Sequence, residues 1–154
     1  MDWSKLNHLQ LGKYGEYLAK MEFVKYGFDV YSAEVDDKGI DFVVRNRSDK
    51  FFEIQVKSIR NKSYVFMRKE VFAPKENLYL ALLVFGKEEQ PIFALIPSLI
   101  WTLEDRPDFF VDRANYVAPE FGINISGSSI KSIRSSYSFL NAVENLVGSL
   151  QVNT

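Results

Sequence analysis

Two stretches decide the fold predicted from this sequence: residues 39–44, Gly-Ile-Asp-Phe-Val-Val, and residues 51–57, Phe-Phe-Glu-Ile-Gln-Val-Lys. Both stretches are rich in aromatic and β-branched residues, and the polar residues 46–50 between them predict a hairpin of two strands. Side chains along a strand alternate between its faces, so Glu53, Gln55 and Lys57 share one face. Together with Asp41 in the first strand, these groups form a pattern able to hold a divalent metal ion beside a phosphate.

The composition predicts a folded protein that works inside a cell. The chain has 154 residues, 47% of them apolar, which is enough for a single domain over residues 1–154 with its own core. It has no cysteine, which excludes disulfides and thiolate metal sites and favours a reducing compartment. The N-terminus lacks a hydrophobic signal region, and the longest apolar run, residues 78–85, is too short to span a bilayer. We therefore expect a cytoplasmic protein without a membrane partner.

The charge balance is nearly neutral, with 19 basic and 20 acidic residues and a formal net charge of −1. Such a balance disfavours a strongly basic nucleic-acid binder. It does not exclude nucleic acid as a ligand, because the acidic metal ligands of a phosphodiesterase would offset its basic contact residues in the sum.

A helix is predicted over residues 7–26. Leu11, Tyr14, Leu18 and Met21 recur at helical spacing and predict its apolar stripe, and Gly27 predicts its end. Further along the chain, residues 97–103 predict a short helix that begins at a proline, and residues 137–150 predict a closing helix. The serine- and glycine-rich residues 124–136 predict a loop.

Strands are predicted from apolar runs and alternating patterns between turn residues. The continuous apolar run at residues 78–85 is typical of a central strand that is buried on both faces. The predicted strands cover residues 28–32, 40–45, 51–60, 63–68, 78–85 and 91–96. A helix, several strands and a further helix indicate an α/β or α+β sheet flanked by helices.

Four pieces of this pattern, within residues 7–101, resemble the PD-(D/E)XK nuclease superfamily, which includes restriction endonucleases, archaeal Holliday-junction resolvases and an intron-encoded homing endonuclease branch. In chain order they are the helix with Gly12-x-x-Gly15-Glu16, the stretch Gly39-Ile40-Asp41, the stretch Glu53-Ile54-Gln55-Val56-Lys57, and the later apolar strand that leads to Leu95-Ile96-Pro97-Ser98. Two positions differ from the family pattern. Ile40 replaces a proline, and Gln55 replaces an acid, as in the branch of the superfamily that uses Gln-x-Lys.

The resemblance implies an α/β fold with a restriction-endonuclease-like mixed sheet of four to five strands flanked by helices. The nuclease-like core would cover about residues 7–103 and a C-terminal extension about residues 104–154. It also implies a Mg²⁺-dependent endodeoxyribonuclease, with Mn²⁺ as an alternative ion, that acts on DNA as a homodimer or higher oligomer.

Phosphodiester hydrolysis assigns a role to each candidate residue, because it needs an activated water and neutralisation of the negative charge on the phosphate oxygens. Asp41 is the first predicted metal ligand, Glu16 the second carboxylate, and Gln55 a neutral carbonyl ligand. Glu53 is the alternative second acid. Lys57 would stabilise the developing negative charge or position the attacking water. Gly12 and Ala19, on the same side of the helix as Glu16, would let that side approach the sheet.

Structural interpretations compete with these roles. Asp41 has the pattern of a turn or strand-edge aspartate, Glu53 and Lys57 that of a solvent-facing pair, and Glu16 with Lys20 that of an i,i+4 surface pair. The single histidine, His8, is interpreted as a structural or capping residue. The basic residues predicted to contact a DNA backbone, or else to form a solvated face, are Lys13, Lys20, Arg60, Lys62, Arg68 and Lys69.

Two other functions remain open for the same scaffold. The first is a catalytically inactive nucleic-acid-binding or partner subunit, which the amide of Gln55 and the neutral net charge favour. The second is a structural or protein-interaction domain that has kept only the fold. Metal binding through Asp41 and a steep salt dependence of DNA affinity distinguish the three.

Overall fold

The computed structural model of the chain describes residues 1–34, 38–61 and 63–148. The α-helices in these ranges are α1 (His8–Lys25), α2 (Gly127–Ser136) and α3 (Phe139–Leu146). The strands are β1 (Asp29–Ser32), β2 (Phe42–Arg45), β3 (Phe51–Arg60), β4 (Tyr64–Arg68), β5 (Leu78–Phe85), β6 (Ile92–Pro97), β7 (Phe110–Arg113) and β8 (Glu120–Asn124). Short 3-10 helices cover Trp3–Lys5 and Ser98–Thr102.

The strands form two sheets. The larger has five strands in the order β1-β2-β3-β5-β6, with β3 and β5 parallel and the other neighbours antiparallel. The smaller has three antiparallel strands in the order β4-β8-β7. The predicted α/β class and the mixed sheet of up to five strands flanked by helices are thus confirmed, and the second sheet is an addition that the sequence did not predict.

Strand β5, an interior strand between β3 and β6, is buried along its whole length except for the partly exposed Tyr79, as its continuous apolar run predicts. Each face of the larger sheet covers a separate core. On one face, the helices α1 and α3 bury a cluster around Phe23, Phe42 and Phe139. On the other face, the smaller sheet and α2 enclose a cluster around Leu80 and Trp101.

The ends of α1 follow from local chemistry. The Asn7 side chain accepts a hydrogen bond from the Gln10 backbone, and the Gln10 side chain accepts one from the Asn7 backbone, which completes a capping box. Gly27, with φ of +82°, follows the helix in a left-handed conformation that glycine adopts readily. His8 is the exposed first residue of α1, so the cap is Asn7 and the capping role predicted for His8 is wrong.

The buried face of α1 differs from the predicted stripe. Leu11, Gly15, Ala19 and Phe23, spaced by four, are buried, whereas Tyr14 and Met21 of the predicted stripe are 37% and 56% exposed. A Cβ atom added at Gly15 would lie 1.9 Å from Ser58 Oγ, so the helix lies too close to β3 for larger residues. The small residues that allow this contact are not hydrophobic enough to mark a face in the sequence.

The close approach also corrects the predicted role of Gly12. A Cβ atom added at Gly12 would meet no atom within 4 Å, so Gly15 and not Gly12 is the glycine that contacts the sheet. Ala19, on the predicted side, is fully buried. The position of Glu16 therefore depends on the contact between Gly15 and Ser58.

Gly15→Ala is expected to lower the free energy of unfolding by about 1–3 kcal/mol, because the new methyl group overpacks the contact with β3. Gly12→Ala is the matched control, since it adds the same methyl group to α1 in open space and should stabilise the helix by up to about 1 kcal/mol. Urea unfolding of both variants measures the difference. Equal stability of the two variants would contradict a tight contact at Gly15.

The C-terminal part is more regular than predicted. The loop predicted over residues 124–136 is wrong, because α2 occupies most of it. Ser126 and Ser129 form a capping box at its start, and Ile133 anchors it in the core shared with the smaller sheet. The predicted helix over residues 137–150 is observed as α3, and residues 149–154 lie outside the described residues. Strands β7 and β8 were not predicted, and β8 pairs with β4 of the predicted core.

No helix within the described ranges is both long and apolar enough to cross a membrane.

Candidate active site

The candidate site lies where β3 extends beyond its neighbour β2. The pairing of β2 with β3 ends at Phe42 opposite Ile54, whereas β3 continues to Arg60 and pairs with β5 on its other edge. Beyond Ile54, the edge of β3 on the β2 side has no strand partner among the described residues. A polar side chain can therefore reach the backbone of β3 at this point.

Asp41 occupies this edge. Its backbone N–H donates to the Ile54 carbonyl over 3.0 Å, and the Val56 N–H donates to Asp41 Oδ2 over 2.6 Å. The carboxylate thus replaces the backbone carbonyl that a continued β2 would offer to β3. It satisfies the Val56 N–H, a backbone donor that the sheet leaves unpaired. The strand-edge aspartate expected as a structural interpretation is observed, and the same contact holds the carboxylate at a fixed place.

Glu16 lies on α1 between two lysines. Its carboxylate pairs with Lys20 over 2.7 Å and with Lys13 over 3.1 Å, so the predicted i,i+4 pair is present. Burial raises the pKa of the Glu16 carboxyl, but the hydrogen bonds from Lys20 and Lys13 lower it by more, and the net shift is downward. Glu16 is therefore held as a carboxylate whose charge is already balanced.

The lysines that pair with Glu16 lie on the side of α1 that faces the start of β2. The Lys20 ammonium lies 5.6 Å from the centre of the Phe42 ring, directly after Asp41 in the chain. The pKa of Lys13 is raised by its hydrogen bond to Glu16 and the charge of Glu16, with a smaller contribution from the charge of Asp41. The Lys20 partner of Glu16 thus contacts the residue that follows Asp41 in the chain.

Gln55 is the most deeply buried of the candidate residues. The residue is 6% exposed, it lies opposite Leu80 of β5, and its Oε1 atom has no hydrogen-bond partner in the part of the chain that the structure describes. A buried carbonyl oxygen without a donor costs about 1–3 kcal/mol relative to a satisfied one. Such an atom in a folded protein needs an explanation, and a bound cation is one.

Lys57 differs from the other lysines around the site. Its ammonium group makes no ion pair with any carboxylate of residues 1–34, 38–61 and 63–148, and it lies 6.0 Å from the centre of the Phe66 ring. Lys13, Lys20 and Lys75 each pair with a glutamate. Lys57 is thus a partly buried cation whose charge is available to an anionic ligand.

Glu53 is balanced by a residue that the sequence did not single out. Its Oε2 atom lies 2.6 Å from the ammonium of Lys75, in the loop before β5. The predicted surface pair of Glu53 with Lys57 does not form. The pattern of the sequence could not reveal Lys75 as the partner, because the pairing depends on how that loop crosses the end of β3.

The candidate residues occupy two faces of the larger sheet. Phe52 and Ile54 face the core under α1, on the side that also carries Glu16. The alternating residues Gln55 and Lys57 face the opposite side, where β4 supplies Phe66. Asp41 lies at the edge of the sheet, where its backbone and carboxylate bond to the backbone of Ile54 and Val56, the residues on either side of Gln55.

The basic residues predicted to contact DNA are mostly engaged within the protein. The Arg60 guanidinium donates to the carbonyl groups of Trp3 and Leu6 and thereby fixes the segment before α1. Lys13 and Lys20 pair with Glu16, and Lys69 pairs with Asp112. Lys62 lies outside the described residues. A role of these residues in DNA contact stays a prediction.

The donor set suits a hard divalent cation in part. No group of three or more aspartate, glutamate, histidine or cysteine residues that could hold a metal ion occurs in the described part of the chain. The oxygen donors at hand are the carboxylates of Asp41 and Glu16 and the unpartnered Oε1 of Gln55. Carboxylate and amide oxygens are the ligands that Mg²⁺ and Mn²⁺ prefer, so these residues fit such an ion.

Comparison with known proteins finds solved structures with the same fold but no matching family model. No protein-family model matches the sequence, and no curated protein matches it. Hjc, a Holliday junction resolvase from the archaeon Archaeoglobus fulgidus, has a TM-score of 0.51 at 11% identity, with 86% of this chain and 95% of that chain covered. The bacterial homing endonuclease I-Ssp6803I has a TM-score of 0.54 at 15% identity, with 92% and 91% covered. Both are restriction-endonuclease-like PD-(D/E)XK nucleases. The chain has the fold of this superfamily, which the motifs in its sequence indicated.

Proposed function

We propose that this protein is a metal-dependent endonuclease that hydrolyses phosphodiester bonds of DNA at the free edge of β3. One observation carries the proposal. The unpaired ammonium of Lys57 and the unpartnered Oε1 of Gln55 point from the same face of one strand, beside the fixed carboxylate of Asp41. A cation, a neutral oxygen ligand and a carboxylate are the groups that this reaction needs. The nuclease fold of the two solved structures supports the same function.

Each residue then has a part in the reaction. Asp41 and Gln55 would hold Mg²⁺ or Mn²⁺. The Glu16 carboxylate, which pairs with Lys13 and Lys20, would be a third donor after it releases one of these lysines. When bound, such an ion neutralises charge at the phosphate and makes a water molecule more acidic. The Val56 N–H fixes the orientation of the Asp41 carboxylate. Lys57 binds a phosphate oxygen and stabilises the negative charge that grows there.

The direct experiment is cleavage of supercoiled plasmid, linear duplex and branched DNA by the purified protein. Each substrate is incubated with Mg²⁺, with Mn²⁺ or with EDTA. The proposal expects cutting of at least one substrate with a metal ion and none with EDTA. Cutting that persists unchanged in EDTA would contradict a metal-dependent mechanism.

Gln55→Glu tests the metal site without relying on activity. We expect this variant to be less stable than the native protein by about 1–3 kcal/mol in EDTA, because a carboxylate replaces a neutral amide in a buried position. Mg²⁺ should reduce this difference, since the ion compensates the new charge. Thermal unfolding in EDTA and in Mg²⁺ measures both values. A difference in stability that is the same in the two conditions would argue against a cation beside residue 55.

A second candidate function is a DNA-binding or partner subunit without hydrolysis. Two observations favour it: the amide of Gln55 stands where an acid is usual, and no three-acid cluster is found within the described ranges. DNA binding without cleavage under every metal condition would support this candidate. In that case Gln55→Glu would be the variant to test for a gain of cleavage.

We further propose that the active form is a homodimer or a higher oligomer, because one site cuts one strand and a twofold assembly presents two sites to a duplex. Sedimentation of the protein with and without DNA measures the number of copies. A monomer in both conditions would contradict this part of the proposal.

A further inference from the structure

The outer face of the smaller sheet carries a row of aromatic and cationic side chains that begins beside Lys57. We name Phe66, Tyr64, Arg113 and Tyr116 the aromatic row. The Phe66 and Tyr64 rings stack with their centres 6.3 Å apart and their planes 17° apart. The Arg113 guanidinium lies 4.2 Å from the centre of the Tyr64 ring and 5.1 Å from that of the Tyr116 ring. Lys57 lies 6.0 Å from the Phe66 ring at the other end of the row.

The row is held in place by its surroundings. A Cβ atom added at Gly122 would lie 2.0 Å from the Tyr64 hydroxyl oxygen, so the absence of a side chain there makes room for the ring. The Tyr64 hydroxyl donates to Glu120 over 2.9 Å. Burial, followed by this bond, raises the pKa of Tyr64 to about 12, so the phenol stays protonated as a donor. The Tyr64 ring, on which Phe66 stacks, is thus held in place before any ligand arrives, which reduces the entropic cost of binding.

The two faces of β4 show that the row is not part of a core. Val65 and Met67 on the inner face are buried, whereas Phe66 on the outer face is 45% exposed. Tyr116 at the far end of the row is 50% exposed. Exposed rings beside arginine and lysine are the pattern with which proteins bind nucleic-acid bases.

We propose that the aromatic row binds unpaired bases of DNA next to the scissile phosphate and so directs the enzyme to DNA that contains unpaired nucleotides. This inference rests on the proposed function, since it takes Lys57 as the contact to that phosphate. Successive bases of one strand are about 3.4 Å apart along a duplex, so a ring 6.0 Å from the Lys57 ammonium reaches a nucleotide one or two steps away. In a fully paired duplex the faces of the bases are covered by their neighbours and offer no surface to a ring.

The cations on this face and the small net charge of the chain together fit a nucleic-acid ligand that is bound partly through its bases. Lys57 and Arg113 lie beside rings of the row, Arg68 on the same face of β4 pairs with Glu70 over 3.9 Å, and the acidic Glu120 accepts the hydrogen bond of the Tyr64 hydroxyl. The net charge of −1 provides little general attraction to a phosphate backbone. Stacking on fixed rings supplies affinity that the net charge does not.

The experiment compares a forked DNA that has unpaired arms with a fully paired duplex, by fluorescence anisotropy in EDTA so that nothing is cut. Phe66→Ala is expected to weaken binding to the fork about tenfold, the usual scale for loss of one base-stacking side chain, and to change duplex binding less than about twofold. Phe51→Ala is the matched control. Phe51 is 51% exposed at the start of β3, before Lys57 in the same strand, and its loss should change neither affinity.

Two further substitutions separate stacking from folding. Phe66→Tyr keeps a ring and should keep the preference for the fork, whereas Phe66→Leu keeps apolar bulk without a ring face and should lose it. Equal loss on fork and duplex, loss in Phe51→Ala as well, or an unchanged preference in Phe66→Leu would each overturn the proposal. A change in sedimentation with unchanged DNA binding would overturn it in favour of a contact between protein chains.

The outcome is separable from that of the proposed function. A fork preference that depends on Phe66 in a protein that cuts no DNA would support the aromatic row and contradict the endonuclease. Metal-dependent cutting, with binding of both substrates unchanged by substitution of Phe66, would support the endonuclease and contradict the role of the aromatic row.

Discussion

Asp41→Asn is expected to reduce the rate of DNA cleavage by about a hundredfold or more while the protein stays folded. The substitution removes the negative charge that would hold the metal ion, and loss of one electrostatic contact at a reacting centre commonly costs about 10²–10³ in rate. An asparagine can still accept the hydrogen bond from the Val56 N–H, which Asp41 accepts over 2.6 Å. Single-turnover cleavage in Mg²⁺ measures the rate, and thermal unfolding checks the fold.

The choice of asparagine follows from this contact. Asp41→Ala would leave the Val56 N–H without its acceptor and cost about 1–3 kcal/mol, so a loss of activity could reflect a displaced strand edge. Asp29→Asn is the matched control, since Asp29 is a carboxylate of the same sheet that pairs with Arg45 over 2.7 Å. A folded Asp41→Asn protein that cuts DNA at the native rate would contradict the assignment of Asp41 as a metal ligand.

Lys57→Met is expected to lower the cleavage rate constant by about a hundredfold, because it removes the cation that stabilises charge on the phosphate. Methionine keeps much of the apolar stem, so the packing of the stem against neighbouring residues is largely retained. Lys57 makes no ion pair within the described residues, so its loss leaves no carboxylate unbalanced, and the thermal midpoint should not fall. Rates at saturating and subsaturating DNA separate an effect on chemistry from one on binding.

Lys50→Met is the control for this substitution. Lys50 is an exposed lysine in the loop between β2 and β3, so its replacement removes the same charge from the same hairpin. Its cleavage rate should remain near the native value. If Lys57→Met and Lys50→Met lose activity equally, the loss of one positive charge from the protein would explain the effect, and Lys57 would have no specific role in catalysis.

The local order of the chain could be predicted from its sequence. The alternation of Glu53, Gln55 and Lys57 with apolar residues predicted a strand, and β3 covers the predicted residues 51–60. The apolar run at residues 78–85 became β5, buried on both faces as expected. These predictions succeed because they depend on side-chain alternation and on burial of apolar residues, which are properties of one segment at a time.

The predictions that failed depended on contacts between distant segments. The buried face of α1 is set by the close approach of Gly15 to Ser58, and a glycine carries no apolar signal. Helix α2 was predicted as a loop because its serines suggested a turn, although Ser126 and Ser129 cap a helix that Ile133 anchors in the core.

The sequence by itself determined which residue types the hairpin brings within a few positions of one another: a carboxylate next to the start of its first strand, and an amide and a lysine two residues apart in its second. Only the tertiary structure decided their environments. It began β2 at Phe42, so that Asp41 precedes the strand and bonds to β3 beyond the pairing of the two strands, and it left Gln55 Oε1 buried without a donor among the described residues. It also brought Phe66 beside Lys57 by packing a second sheet against the first. Strand ends, burial and contacts between sheets depend on how distant segments pack, and no pattern within one segment contains that information.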